Sequence, residues 1–284
     1  MLILIFSKSV FALNILTTIK PIQMITLELT EGVTTPNVLL SSTASPHDYA
    51  LKPSDVRKIN QADLIVWFGE GLEPFLKHII RRKESSEVIT LSELPNVHYR
   101  KFGEEHHDDG HHHGTLNPHF WLSPEVAKQV AIALVDKLNQ IDPSNQAVYK
   151  KNLLRFVETL HETDSQIRAI LSPLKNKPYF VFHDAYRYFE SYYHLNNLGH
   201  FTVSPERKPG AKTLVHIRRT LSKYHHVCIF SEPQFTPAVI KSVTRGTDAK
   251  VGYLDPLGTD IAVKDHSYFV FLKGIAIQLQ TCLQ

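Results

Sequence analysis

Short apolar, β-branched runs alternate along this chain with longer stretches of helical period. Leu13 to Ile19, Asn37 to Ser41, Asp63 to Phe68 and Val88 to Leu91 read as strands with helices between them. After Pro178 the rhythm restarts, with strands at Tyr179 to Phe182, Leu198 to Val203, Val227 to Ser231 and Lys250 to Leu254. Between the two series, Pro143 to Leu171 places Tyr149, Leu153, Phe156, Val157, Leu160, Ile167 and Leu171 at helical spacing, with no internal Gly or Pro. The pattern predicts an α/β fold of two similar lobes, each with a parallel β-sheet flanked by helices, joined by one long rigid helix. The expected bounds are 13–142 for the N-terminal lobe, 143–172 for the linking helix and 173–284 for the C-terminal lobe. A continuous helix resists bending far more than a Gly/Ser linker, so little relative movement of the lobes is expected.

A chain of 284 residues with 43% hydrophobic content can fill a core in each lobe. Its formal charge of +3, with both signs interspersed, offers no basic stripe, which excludes nucleic acid as a partner. Met1 to Ala12 is mostly apolar and ends in Val-Phe-Ala, a small-residue ending that suits signal peptidase. Its lone charge, Lys8, lies inside the run with nothing basic ahead of it, so residues 1–12 read as a shortened secretory signal. No later segment is apolar for long enough to span a bilayer, and no cysteine lies near the N-terminus to carry a lipid. The expectation is a soluble, monomeric protein of the periplasm. Cys228 and Cys282 fit that oxidising compartment as one disulfide, the alternative being two buried thiols.

Histidine is the feature that turns this outline toward chemistry: there are 17, against two methionines and two tryptophans. His47, His119, His183 and Asp255 each end a predicted strand or lie in a loop near one, and ligands of open parallel sheets gather at the carboxyl ends of strands. His47 lies in Ser45-Pro-His-Asp48, His119 lies between Pro118 and Pro124, His183 follows Tyr179-Phe-Val-Phe182, and Asp255 follows Val251-Gly-Tyr-Leu254. A lone histidine beside a strand is more often a hydrogen-bonded structural residue. Three imidazoles with a carboxylate, however, make the tetrahedral nitrogen and oxygen shell that zinc accepts. Their spacing is too long for a zinc finger, so a folded two-lobe scaffold must preform the site. Asp48 and Glu232 are placed to orient imidazoles from behind, whereas Asp184 reads as a cap or turn residue.

Residues 103–114 form a low-complexity loop in which His106, His107, His111, His112 and His113 stand among four acids. Such a segment is expected to bind metal only weakly, because ordering it costs conformational entropy. Enzymatic signatures are missing: His161-Glu162 is followed by Thr-Asp-Ser, without the second histidine of a metalloprotease helix, and there is no nucleophile elbow or phosphate loop. The expectation is therefore no enzyme, with a zinc hydrolase the least supported reading.

Several segments carry a resemblance to a known family. They are Ser45-Pro-His-Asp-Tyr49 with Lys52-Pro-Ser-Asp55, the His/Asp/Glu loop, His119-Phe-Trp-Leu-Ser-Pro124, and Tyr179-Phe-Val-Phe-His-Asp-Ala-Tyr186. Gly199-His-Phe-Thr-Val203, Glu232-Pro-Gln-Phe235 and Leu254-Asp-Pro-Leu-Gly258 complete the set. Through them the chain resembles the ZnuA family, the periplasmic zinc-binding proteins of high-affinity zinc ABC importers. The resemblance implies metal at the interface of the two lobes and a disulfide matching Cys228 and Cys282. It also implies that His47, His119 and His183 bind Zn2+, with the fourth place taken by Asp255, another carboxylate or water, and that zinc passes to the membrane permease of a zinc ABC transporter. Related manganese binders carry a carboxylate where His183 stands, so His183 favours zinc. Manganese binding, zinc buffering and an adhesin role are the alternatives that the same architecture allows.

Overall fold

The computed structural model describes residues 13–102, 116–203, 208–224, 226–234 and 238–284. The expected signal segment and the histidine-rich loop lie outside the described residues. In chain order the first series of elements is β1 (Ile15–Thr17), α1 (Lys20–Thr30), β2 (Asn37–Val38), α2 (Pro53–Gln61), β3 (Leu64–Trp67), α3 (Lys77–Ile80), β4 (Val88–Thr90) and α4 (Pro124–Ile141). Helix α5 (Gln146–Leu171) follows. The second series is β5 (Tyr179–His183), α6 (Arg187–Tyr193), β6 (Asn197–Thr202), α7 (Ala211–Leu221), β7 (Cys228–Ser231), α8 (Ala238–Thr244), β8 (Lys250–Tyr253) and α9 (Ser267–Leu283).

The strands form two four-stranded parallel sheets of identical order, β2-β1-β3-β4 and β6-β5-β7-β8. The inner strands β1, β3 and β5 are buried at every position. That is why they appear in sequence as unbroken apolar runs rather than alternations, as strands covered on both faces do. At the edge of the second sheet, β8 is largely exposed. Helix boundaries follow local chemistry. Pro53 opens α2, and Asp55 accepts the Lys52 N–H at 2.9 Å and the Tyr49 hydroxyl at 2.9 Å. Ser123 accepts the Val126 N–H ahead of Pro124 at the start of α4.

Helix α5, 26 residues long, begins after a 3-10 turn at Pro143–Asn145 and packs against α1 and α4 on one side and α9 on the other. Its buried stripe includes Tyr149, Phe156, Leu160, Ile167 and Leu171, while Leu154, off the stripe, is 74% exposed. Phe156 meets Tyr268 and Phe269 of α9 with ring centroids 5.8 and 5.4 Å apart. Asn152 donates to the carbonyls of Leu29 and Glu31 at 3.0 and 2.9 Å, satisfying the open C-terminal end of α1. One apolar core runs through this helix layer and takes in residues of both sheets, from Leu16 and Ile65 to Val181 and Phe230. A smaller cluster around Phe180, Phe182 and Ile229 fills the other face of the second sheet. No described helix is long and apolar enough to cross a membrane.

Cys228 of β7 and Cys282 of α9 form a disulfide, with Cα atoms 6.1 Å apart and a sequence separation of 54. It pins the last helix to the second sheet. Replacing both cysteines by serine is expected to lower the unfolding free energy by roughly 2–4 kcal/mol, read as a lower urea midpoint; an unchanged midpoint would show that the bridge adds no stability.

Candidate metal centre

In each sheet the first strand of the series is flanked by the second on one side and the third on the other, which leaves a crevice beyond the carboxyl ends at the crossover. The two crevices are filled differently. In the first sheet, Thr18 directly after β1 donates its hydroxyl to Glu73, which also accepts the N–H groups of Phe68 and Gly69 at 3.4 and 3.1 Å. Burial pushes the Glu73 carboxyl up to about 7. In the second sheet, His183 is the last residue of β5, and Glu232 follows β7 directly. Both oxygens of Glu232 lie against His183 Nδ1, Oε1 at 2.8 Å and Oε2 at 2.7 Å, and the hydrogen bond runs to Oε1.

The first series sends two more imidazoles to this end of β5. His47 comes from the loop after β2, and His119 from the segment before α4. The ring centroids of His47, His119 and His183 lie 5.2 to 6.0 Å apart, and one ligand atom from each falls within 4.8 Å of the others. His119 and His183 are buried, and His47 is half-buried at the rim.

The tautomers follow from the hydrogen bonds. Asn117 Oδ1 receives the backbone N–H of His119 at 3.0 Å, which only an acceptor can do, and it lies 2.8 Å from His119 Nδ1. That nitrogen must therefore carry the proton. Nδ1 of His183 likewise donates to Glu232. Both Nε2 atoms are left as lone-pair donors to metal, facing each other at 3.3 Å. Two nitrogens about 2 Å from a tetrahedral zinc stand about 3.3 Å apart, so the pair already has the separation that the ion requires. Burial, and then the proximity of His183 and His47, hold the His119 imidazole well below its usual range, so it stays neutral.

Ser45, Pro46, Trp121, Gln234, Pro256 and Leu257 complete the walls around a cavity of about 20 Å³. That is room for one ion or one water. The walls come from both halves of the chain and are cross-linked. Trp121 Nε1 donates to Pro256 O at 2.8 Å, Tyr268 donates to Trp121 O at 2.8 Å, and Gln234 Nε2 donates to Ser42 O at 3.0 Å. Tyr188 accepts the Arg100 N–H and donates to Asn117 O.

Asp255, expected at the fourth position, is buried beside the cavity but lies outside the 4.8 Å grouping of the three histidines. Its oxygens accept the N–H groups of Leu257 at 3.0 Å and Thr259 at 2.5 Å, and Gln234 Nε2 at 3.3 Å. Asp48 is exposed. Asp184 pairs with Arg187 at 3.2 Å, in keeping with a local role. His106, His107, His111, His112 and His113 lie outside the described residues. The described chain on either side of their loop is closed by an antiparallel bridge from Lys101 to Leu116 and by Asn117 N–H donating to Arg100 O at 2.8 Å, which sets its base two residues from His119. The sequence reading missed Asn117 and Gln234; the only signal for either was its place, two residues from His119 and from Glu232.

Two parallel-sheet lobes packed on one helix, with imidazoles from both converging on a one-ion cavity, define a metal-binding protein of the solute-binding class. The chain belongs to the ZnuA family, described as zinc-uptake complex component A, periplasmic, whose family model matches residues 15–282. It is 42% identical to the high-affinity zinc uptake system protein ZnuA of Yersinia pestis, over 95% of this chain and 91% of that protein. Identity to the protein of the same name from Haemophilus ducreyi is 39%, over 95% and 93%. In fold it is similar to a crystal structure of ZnuA, with a TM-score of 0.82, 23% identity and coverage of 96% of this chain and 100% of that one. The laminin-binding protein Lmb of Streptococcus agalactiae, described as bifunctional with adhesin and metal transporting activity, matches at a TM-score of 0.80 and 23% identity, over 96% and 100%.

Glu232→Gln keeps an acceptor for His183 but removes its charge, and is expected to weaken zinc binding by 10- to 100-fold, measured by competition with a chelating dye. Affinity within a few-fold of the parent would mean that Glu232 does not tune the imidazole. The metal-free protein carries a second signature. An unfolded His119 takes up a proton near its usual 6.5, whereas the folded one resists it, so the unfolded state binds more protons below that pH and stability falls on acidification. As pH falls below 6.5 this group's contribution steepens toward a limit of about 1.4 kcal/mol lost per pH unit, and His119→Gln should remove that slope from urea unfolding curves. Parallel pH profiles for the two proteins would show that His119 titrates normally.

Proposed function

We propose that this chain is the periplasmic zinc-binding component of a zinc uptake system, taking up one Zn2+ between its lobes and delivering it to the membrane permease of an ABC importer. The observation that carries this reading is the 3.3 Å separation of His119 Nε2 and His183 Nε2, set by scaffold bonds at their Nδ1 atoms. His47 supplies the third nitrogen, and Asp255 or a water completes the shell. Three imidazoles make a nitrogen-rich set that favours zinc over manganese. Glu232 and Asp255 place two carboxylates behind or beside the ion, enough to balance its charge. The names of the relatives support zinc as the cargo. The disulfide is in keeping with an oxidising compartment.

Calorimetric titration of the metal-free protein with Zn2+ and separately with Mn2+, beside a variant lacking residues 103–114, tests the assignment. One tight zinc event that survives the loop deletion is expected, with manganese at least 100-fold weaker, and combined His47→Ala, His119→Ala and His183→Ala should abolish it. Tight binding that persists in the triple variant, or that disappears with the loop, would move the site elsewhere. Delivery is tested by growth of a deletion strain: an importer component is needed when zinc is scarce, whereas a buffer or adhesin is not.

A further inference from the structure

Away from the cleft, a second cluster of metal-ligating groups sits where α1 meets the start of α9. Glu28 lies on the last turns of α1, roughly 12 Å along that helix from Lys20 at its cleft end, and Asp265 and His266 immediately precede α9. One ligand atom from each of the three lies within 4.8 Å of the others. Glu28 is buried, with only 1% of its surface exposed, and its Oε1 has no hydrogen-bond partner. The backbone N–H of His266 faces the same carboxyl, and Asp265 stands nearby. His266 Nε2 lies 3.3 Å from Asp265 Oδ2. Arg155 offers the Glu28 carboxyl some charge but no hydrogen bond: it pairs with Glu31 and reaches the backbone carbonyl of Glu28 at 3.4 Å. Burial, and then repulsion from Asp265, push the Glu28 carboxyl up to about 8, the behaviour of an acid short of positive partners.

A buried carboxyl oxygen without a partner costs free energy that native proteins seldom leave uncompensated. Here the carboxyl belongs to a group that already offers a second carboxylate and an imidazole, open to solvent on the Asp265 and His266 side. We propose that Glu28, Asp265 and His266 form a second divalent-cation site, separate from the three-histidine cleft and tying α1 to the start of α9. Two oxygens and one nitrogen suit zinc and its first-row neighbours, with water in the remaining positions. Exposure of two of its three ligands makes the site weaker than the cleft.

The test is equilibrium dialysis of the full chain against buffered Zn2+, with bound metal counted by mass spectrometry. The comparison proteins are Asp265→Asn with His266→Asn, and Glu28→Gln. His266 holds a left-handed backbone at φ 62, which asparagine tolerates, so the double variant removes ligands without straining the turn. At saturation the double variant should hold one zinc fewer per chain than the parent, and Glu28→Gln should need about 10-fold more free zinc to fill the same step. The same loss of one equivalent should appear in a background carrying His47→Ala, His119→Ala and His183→Ala, which keeps the result independent of the cleft assignment. Equal zinc content in parent and double variant would overturn the proposal. Should the double variant not fold, a zinc-edge anomalous map of zinc-saturated parent crystals decides: a peak within about 2.2 Å of the three ligand atoms supports the site, and flat density there overturns it.

Discussion

Two imidazole nitrogens are held facing each other, His119 Nε2 against His183 Nε2, at 3.3 Å. Left to themselves the rings would flip or tilt apart, and both escapes are blocked. Asn117 and Glu232 claim the Nδ1 hydrogens, so neither ring can turn over without losing a buried hydrogen bond. Burial opposes protonation of His119. The cross-links from Trp121 to Pro256 and from Tyr188 to Asn117 keep the two loops from separating. An arrangement that is unfavourable when empty becomes favourable when a cation enters, because the reorganisation has already been met by folding.

Meeting that cost requires a scaffold that does not give way, and the helix layer supplies it. Helix α5 is buried along one stripe against both α1 and α9, so the two sheets share a core instead of hanging on a tether. Asn152 closes the end of α1, and the disulfide closes the end of α9 onto β7. The geometry of the cavity is in this sense a property of elements well removed from it.

The eight strands were legible in the sequence to within a few residues: β1, β3 and β5, buried at every position, read as unbroken apolar runs, and the edge strands followed from the repeated alternation of strand and helix. The three histidines were legible for a related reason: parallel sheets bring their carboxyl ends together, so polar residues at those ends converge. Asp255 too follows a strand, but the bonds its oxygens accept from Leu257, Thr259 and Gln234 belong to a local turn that leaves no periodic trace. Asn117 was hidden for the opposite reason. Its short-range bond to His119 gains meaning only from Tyr188 and His183, which lie 71 residues or nearly as many further along the chain.

Glu73 and Glu232 occupy corresponding places, each following the third strand of its sheet and each bonded to the residue that ends or follows the first. In one half that residue is a threonine and the pair is sealed by backbone N–H groups; in the other it is a histidine and the pair opens onto the cavity. The fold thus carries two equivalent sockets but uses one as an internal strut. The side chain at a strand terminus decides whether such a socket is sealed or faces the cavity, with no change of topology.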